Sequence, residues 1–174
     1  NSDRRAPVSV KNYAKKHPHR LGPWTPEIRT RVATMQSGDF YANEQSVVMA
    51  ADDTLTISLD GVPLKDGVDV LAGEIVDGTF LSVAKLRDYY AEQIAAAKDE
   101  GLLLSLHLKA TMMKVSDPIM FGHAVSVFYG DLLDGTGANP NLGIGAIEEQ
   151  LDKDRLAALY AERPALAMVD SDKG

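Results

Sequence analysis

Residues 102–109 constrain the fold most strongly, because leucine recurs there at every second position. Neighbouring side chains of a β-strand point to opposite faces of the sheet. One face of this segment is therefore all leucine, whereas the other carries Leu103 and then Ser105, His107 and Lys109. The pattern predicts a strand with one buried face and with Lys109 at its carboxyl end, where open α/β sheets hold their ligands.

Helix signals flank this strand on both sides. Ser82 is a predicted N-cap, and apolar side chains follow it at three- and four-residue spacing until Gly101. A second helix is predicted to begin near Asp117, with proline next to this cap, and to run to about residue 133. A third is expected over about residues 146–163. These segments predict at least three helices around the leucine strand.

The remaining strands and a short first helix complete the prediction. Pro7 can open a helix over about residues 7–16, and Pro18 ends it. Segments rich in β-formers, bounded by turn pairs that include Asp60 with Gly61 and Asp66 with Gly67, predict strands. The predicted strands are residues 45–49, 54–59, 68–76 and 165–169, and residues 134–145 are predicted to form a loop. We therefore expect an α/β fold in which a mixed sheet with an antiparallel meander precedes β-α-β-α-α-β units, as part of a larger domain.

Composition and charge narrow the function classes. The chain has 174 residues, of which 45% are hydrophobic and 25% charged, as in globular proteins. Without cysteine it has no disulfide, thiolate ligand or cysteine nucleophile. No apolar run reaches the roughly 20 residues of a membrane helix and no export leader is recognised, so we expect a cytoplasmic protein with no membrane partner.

The positive charge is concentrated near the amino end. Eight lysines and arginines stand between Arg4 and Arg31 against one acid, Glu27, although the net charge of the chain is −7. An acidic protein repels a polyanion, so we expect no nucleic-acid partner. The local excess is equally compatible with a site for a small anion and with an ordinary solvated surface.

Several short patterns suggest sites but are weak alone. Lys109 can act as an acid or base if its pKa is lowered, although a strand-end lysine more often lies at the surface. His17 and His19 flank a proline, which disfavours sharing a metal ion. Asp170 and Asp172 could supply oxygen ligands to a divalent cation. The glycines around Ile144 lack a third glycine and a preceding strand, so they do not indicate a dinucleotide site.

Longer blocks of sequence are far more specific. They are Asn-Ser-Asp-Arg-Arg-Ala-Pro at 1–7, Lys-Lys-His-Pro-His-Arg at 15–20, Ser-Gly-Asp-Phe-Tyr at 37–41, Leu-Ala-Gly-Glu-Ile at 71–75, Leu-His-Leu-Lys-Ala-Thr-Met-Met-Lys-Val-Ser-Asp-Pro-Ile at 106–119 and Leu-Ala-Met-Val-Asp-Ser at 166–171. Together they resemble the monomeric-type NADP-dependent isocitrate dehydrogenase family. The resemblance covers essentially the whole chain.

The resemblance implies a bacterial enzyme several times longer than this chain. It would oxidise and decarboxylate isocitrate to 2-oxoglutarate with NADP and Mg²⁺ or Mn²⁺, in a cleft between two domains. Residues 1–174 would form one segment of the substrate-side α/β domain. By position, Arg4 resembles an arginine that binds a substrate carboxylate, and Lys109 resembles the catalytic lysine. Lys114 is the second candidate for that lysine.

The resemblance also defines what the chain lacks. The metal-binding aspartates, a partner tyrosine and the nucleotide-binding residues fall outside it, so its cofactor-binding and metal-binding residues are predicted to be none. The loop at 134–145 and the helix after it are expected to be shorter than usual. We expect the isolated chain to be inactive and to need the remainder of the same enzyme as its partner. The alternatives are a non-catalytic accessory module that binds an anionic partner through residues 4–31 and, least favoured, a phosphate or nucleic-acid contact by that stretch.

Overall fold

A computed structural model describes residues 7–18, 22–108 and 113–170. Internal contacts divide the chain into a first unit that ends at Val32 and a second that begins at Ala33. In the first unit, α1 spans Val8–Lys16, and the amide of His17 at its end donates to the carbonyl of Tyr13 at 2.9 Å. The helix ends at Lys16, two residues before Pro18, as predicted, and all its residues except the half-buried Lys11 are exposed.

The second unit begins with two pairs of antiparallel strands. β1 spans Gln45–Val48, β2 spans Asp53–Leu59, β3 spans Val62–Val70 and β4 spans Ile75–Gly78. β2 and β3 form a hairpin that turns at Asp60 and Gly61, both of which have positive φ. β1 pairs with β4 around this hairpin. The strands are therefore nested, and the predicted meander, in which each strand pairs with the next, is wrong.

The predicted strand at 68–76 is also wrong, because a turn interrupts it. Gly73 adopts φ +86°, and its amide donates to the carbonyl of Met49 at 2.8 Å. The carboxylate of Glu74 accepts from the amide of Leu71 at 2.8 Å, which closes the turn between β3 and β4. Asp66 and Gly67, predicted to turn the chain, instead lie inside β3, where the register with β2 is irregular.

The rest of the unit alternates helices with two parallel strands. α2 spans Val83–Asp99, β5 Leu104–Leu108 and α3 Ser116–Tyr129, followed by a 3₁₀ turn over Gly130–Leu133. After a second 3₁₀ turn over Pro140–Leu142 come α4 (Gly145–Glu148), α5 (Lys153–Glu162) and β6 (Leu166–Asp170). β5 and β6 pair in parallel. This is a β-α-β crossover, so the α/β class is confirmed, with three two-stranded sheets among the described residues in place of one mixed sheet.

Two predicted helix boundaries are corrected. The helix expected over 146–163 is broken, because Asp152 accepts hydrogen bonds from the amides of Asp154 and Arg155 and so caps a new helix, α5. The N-cap position of α3 is Val115, which makes no side-chain capping bond, and Asp117 lies in the first turn of the helix. The predicted cap of α2 is confirmed, since Ser82 accepts from the amide of Lys85.

The core lies between the helices and the leucine face of β5. It contains Ile94 of α2, the aromatic and branched residues of α3, and the short α4 with the residues after it. Its buried members are Ile94, Phe121, Val125, Phe128, Tyr129, Ile147 and Leu151. Helix α3 thus supplies the centre of the unit. None of the helices in the described ranges is long and apolar enough to cross a membrane.

Candidate active-site segment

β5 presents two faces of different chemistry, as its sequence predicts. Leu104, Leu106 and Leu108 are half-buried and pack against the core. Ser105 and His107 are exposed on the other face. The leucines fix the orientation of the strand, because a slip of one residue would exchange the two faces. Because the leucine face packs against the core, the face that carries Ser105 and His107, here called the polar row, is turned to solvent.

The polar row contains a hydrogen-bonded pair. The Oγ of Ser105 lies 2.6 Å from the Nε2 of His107, and the two side chains stand two residues apart on one face. The bond occupies one ring nitrogen and restricts rotation of the imidazole. This pair is the described part of the hydroxyl, imidazole and ammonium series expected from the sequence.

The two parallel strands end at the same edge of their sheet. Leu104 pairs with Leu166 at one end and Leu108 pairs with Asp170 at the other. Lys109 follows β5 directly in the sequence and lies outside the described residues, as does Arg4. The described residues therefore do not test whether Lys109 and Arg4 lie close together, and the roles of both stay predictions. The structure describes β5, the strand that precedes Lys109, and the core against which the leucines of β5 pack.

The second candidate lysine is exposed. Lys114 lies in the turn before α3, after the undescribed residues 109–112. Three residues later, Asp117 is only 7% exposed, and its amide donates to the carbonyl of Met113 at 3.1 Å. A carboxylate in the first turn of a helix is stabilised by the helix dipole. Asp117 thus stabilises the start of α3, close in sequence to both lysines.

Other sequence candidates acquire structural roles or fall outside the description. The ring of His17 stacks with Tyr13 at a centroid distance of 4.3 Å, and its neighbour His19 is outside the described residues. Gly143, at φ +95°, ends a 3₁₀ turn, so it belongs to a loop as predicted. Asp172 is not described. Among residues 7–18, 22–108 and 113–170, no three histidine or acidic side chains form a group that could hold a metal ion.

A tyrosine network centred on the buried Tyr129 was missed by the sequence analysis. The hydroxyl of Tyr129 on α3 donates to the Oε1 of Glu148 on α4 at 2.8 Å and lies 2.9 Å from the hydroxyl of Tyr160 on α5. Tyr160 also donates to Glu148. Burial, and then hydrogen bonding to Tyr160 and Glu148, raises the pKa of Tyr129 far above its usual value. Burial is also the main cause that raises the pKa of Tyr160.

This network borders an open depression of about 480 Å³ at the start of β6. Glu148 and Tyr160 line it together with Ile144 and residues 164–167. The depression adjoins the amino end of β6, at the opposite end of the parallel pair from the edge where β5 and β6 finish. No local pattern could have revealed the network, because its three residues come from three helices that only the tertiary fold brings together.

The fold and the leucine-backed strand define an α/β segment of the kind that holds a ligand at the carboxyl edge of parallel strands. A family model for monomeric isocitrate dehydrogenase matches residues 1–174, so the chain belongs to the monomeric isocitrate dehydrogenase family.

Curated relatives of the chain are named NADP isocitrate dehydrogenases. The chain is 47% identical to that of Azotobacter vinelandii, 48% to that of Corynebacterium efficiens and 41% to isocitrate dehydrogenase [NADP] 2 of Mycobacterium tuberculosis. Each match covers 100% of this chain but only 26 or 27% of the relative. The chain therefore spans about a quarter of the length of the curated relatives it matches.

Proposed function

We propose that residues 1–174 act as one segment of a longer NADP-dependent isocitrate dehydrogenase, to which they contribute the catalytic lysine, Lys109, and a substrate-binding arginine, Arg4. The observation that carries this proposal is the family match over the full chain, together with relatives named for this activity. The described strand geometry supports the position of Lys109, since β5 runs into it at the carboxyl edge of a parallel pair.

The reaction defines what these groups do. The C2 hydroxyl of isocitrate loses its proton to a base while a hydride leaves C2 for NADP⁺, which gives a ketone. The carboxylate on C3, which is β to this ketone, then leaves as CO₂, and the resulting C2–C3 enolate takes up a proton at C3 to form 2-oxoglutarate. Lys109 takes part in proton transfer at the C2 oxygen and the enolate. Arg4 pairs its guanidinium with a substrate carboxylate and holds it in register.

The cofactors of the proposed reaction are NADP and Mg²⁺ or Mn²⁺. A bound divalent ion would stabilise negative charge on the substrate oxygen. As the family resemblance implies, we assign the metal-binding and nucleotide-binding groups to the remainder of the polypeptide. We place the complete enzyme in the cytoplasm, as expected from the sequence.

The experiment uses a long chain in which residues 1–174 replace the matching quarter of the Azotobacter vinelandii relative. Isocitrate-dependent formation of NADPH is followed by absorbance. Loss of a proton-transfer group lowers kcat by about 100- to 10,000-fold, which is the effect expected of Lys109→Met. Lys114→Met is the matched control, because it removes the same charge five residues away. Equal activity of these two variants would contradict the role of Lys109.

Arg4 is tested in the same long chain. Arg4→Gln is expected to raise the KM for isocitrate, because one charged contact to a carboxylate is lost, whereas Arg5→Gln should leave KM within about twofold. The unfused chain is expected to form no NADPH, since we assign the cofactor-binding groups to the remainder of the polypeptide. Activity of purified residues 1–174 alone would overturn the assignment to a segment.

A further inference from the structure

The hairpin of β2 and β3 has one face whose polar groups bond to each other. The hydroxyl of Thr54 donates to Asp69 at 2.9 Å, and that of Thr56 donates to Asp66 at 2.6 Å. These bonds join the two strands across the exposed surface. The polar face is therefore suited to contact with water.

The opposite face is mainly apolar and is defined by Leu55, Ile57, Leu59, Val62 and Val68, with one charged residue, Lys65, paired with Ile57. Leu55 pairs with Val68 and Leu59 pairs with Val62 across the hairpin. Ile57 is 53% exposed, Leu59 61% and Val62 63%. Three branched side chains on one short hairpin thus remain largely open to solvent in the second unit.

Such a face needs a covering surface to be stable. A two-stranded hairpin is marginally stable in water by itself, and a contiguous apolar patch bounded by polar residues marks an interaction site. The hairpin places its apolar residues at alternate positions, a pattern that is typical of a sheet face buried on one side. The occupant must therefore present a largely apolar surface.

We propose that this apolar face packs against an apolar surface of the remainder of the longer polypeptide. The inference rests on the proposed function, which makes the chain a segment of a longer enzyme. The relatives contain about three quarters of their length outside the matched region. A covering surface in the same chain has a high effective concentration, of the order of millimolar, which favours it over a second copy at micromolar concentration.

Hydrogen exchange of the hairpin amides tests the packing. Residues 1–174 alone are compared with the long chain built on the Azotobacter vinelandii relative, and α2 amides near Ile94 report that both proteins are folded. We expect hairpin exchange at least about 100-fold slower in the long chain. If the fused chain is not folded, residues 1–174 are mixed with the relative's chain lacking the matched quarter, and the same slowing is expected.

Two adjacent variants separate the faces of the hairpin. Leu59→Lys places a charge on the apolar face and should abolish the added protection in the long chain. Ser58→Lys adds the same charge to the opposite face and should leave it intact. Equal exchange of the hairpin in the two unsubstituted proteins would overturn the proposal. Concentration-dependent dimerisation of residues 1–174, lost in Leu59→Lys, would overturn it in favour of a second copy.

NADPH formation by the same long chain distinguishes the two proposals. An active long chain with an unprotected hairpin rejects the docking surface and retains the proposed function. A protected hairpin in a folded long chain that does not oxidise isocitrate rejects the function and retains the surface.

Discussion

Removal of the Tyr129 hydroxyl tests whether the tyrosine network stabilises the second unit. Tyr129 is 1% exposed, and its hydroxyl donates to the Glu148 carboxylate at 2.8 Å. Tyr129→Phe retains the ring and its edge contact with Phe128, whose centroid lies 5.3 Å away. A hydrogen bond to a charged group contributes about 1.5–3 kcal/mol. Because Glu148 keeps the bond from Tyr160, we expect a loss of about 2 kcal/mol in the free energy of unfolding.

Urea unfolding of residues 1–174, followed by circular dichroism at about 222 nm, measures this loss. With a denaturant slope of about 2 kcal/mol/M for a chain of this size, the midpoint should fall by about 1 M. Tyr160→Phe is the matched control. Tyr160 is 40% exposed, so water can replace its partner and the expected loss is at most about 1 kcal/mol. A midpoint shift for Tyr129→Phe no larger than that for Tyr160→Phe would refute the reasoning.

Three further predictions concern the same unit. An added Cβ at Gly122 would overlap the side chain of Asn141 and lie 3.1 Å from its backbone nitrogen, so Gly122→Ala should cost about 1–3 kcal/mol in urea unfolding. Adding Asn141→Ala to this variant should recover part of the cost. Gly145→Ala, which has open space around it, should have little effect. Equal losses at the two glycines would contradict the predicted overlap with Asn141. Asp152→Ala removes the cap of α5 and should lower the free energy of unfolding by about 1 kcal/mol, whereas Asp152→Asn should retain the capping bonds. Equal urea midpoints for these two variants would reject the capping role of Asp152. Burial raises the pKa of Tyr90 to about 12, so between about pH 10 and 12 the folded state binds more protons than the unfolded state. The free energy of unfolding should therefore fall as the pH rises from 10 to 12. Tyr90→Phe should lessen that fall, and an unchanged pH profile would argue against the raised pKa.

Local signals made parts of the fold predictable from sequence. The cap at Ser82 and the apolar spacing after it predicted α2, whose Leu86, Ile94 and Ala97 are buried. Alternating leucines predicted β5 and its buried face. In both cases the information lies within a few neighbouring residues, so tertiary contacts did not need to be known.

Long-range contacts account for the errors. β1 pairs with β4 across an intervening hairpin, a pairing that no local pattern encodes. The apolar run over 68–76 hides the turn at Gly73, which is held by a bond to Met49 from an earlier segment. The helical spacing after residue 146 continues past the break, although Leu151 turns into the core and Asp152 begins a new helix.

The candidate site was predicted by family resemblance more than by chemistry. Pattern alone favoured a surface role for Lys109, because alternation in β5 assigns a face but does not identify a ligand. The reason to propose a catalytic role for it is the resemblance of residues 106–119 to the family. The tyrosine network shows the converse, since its chemistry is visible only after Tyr129, Glu148 and Tyr160 are brought together by folding.

The most direct test of the central claim is a crystal structure of the long chain with isocitrate bound. The account predicts the Nζ of Lys109 within about 2.6–3.2 Å of the substrate's C2 oxygen, directly or through one water, and the Arg4 guanidinium on a substrate carboxylate. A Lys109 side chain directed away from the bound substrate, or an Arg4 that contacts no part of it, would contradict a shared active site.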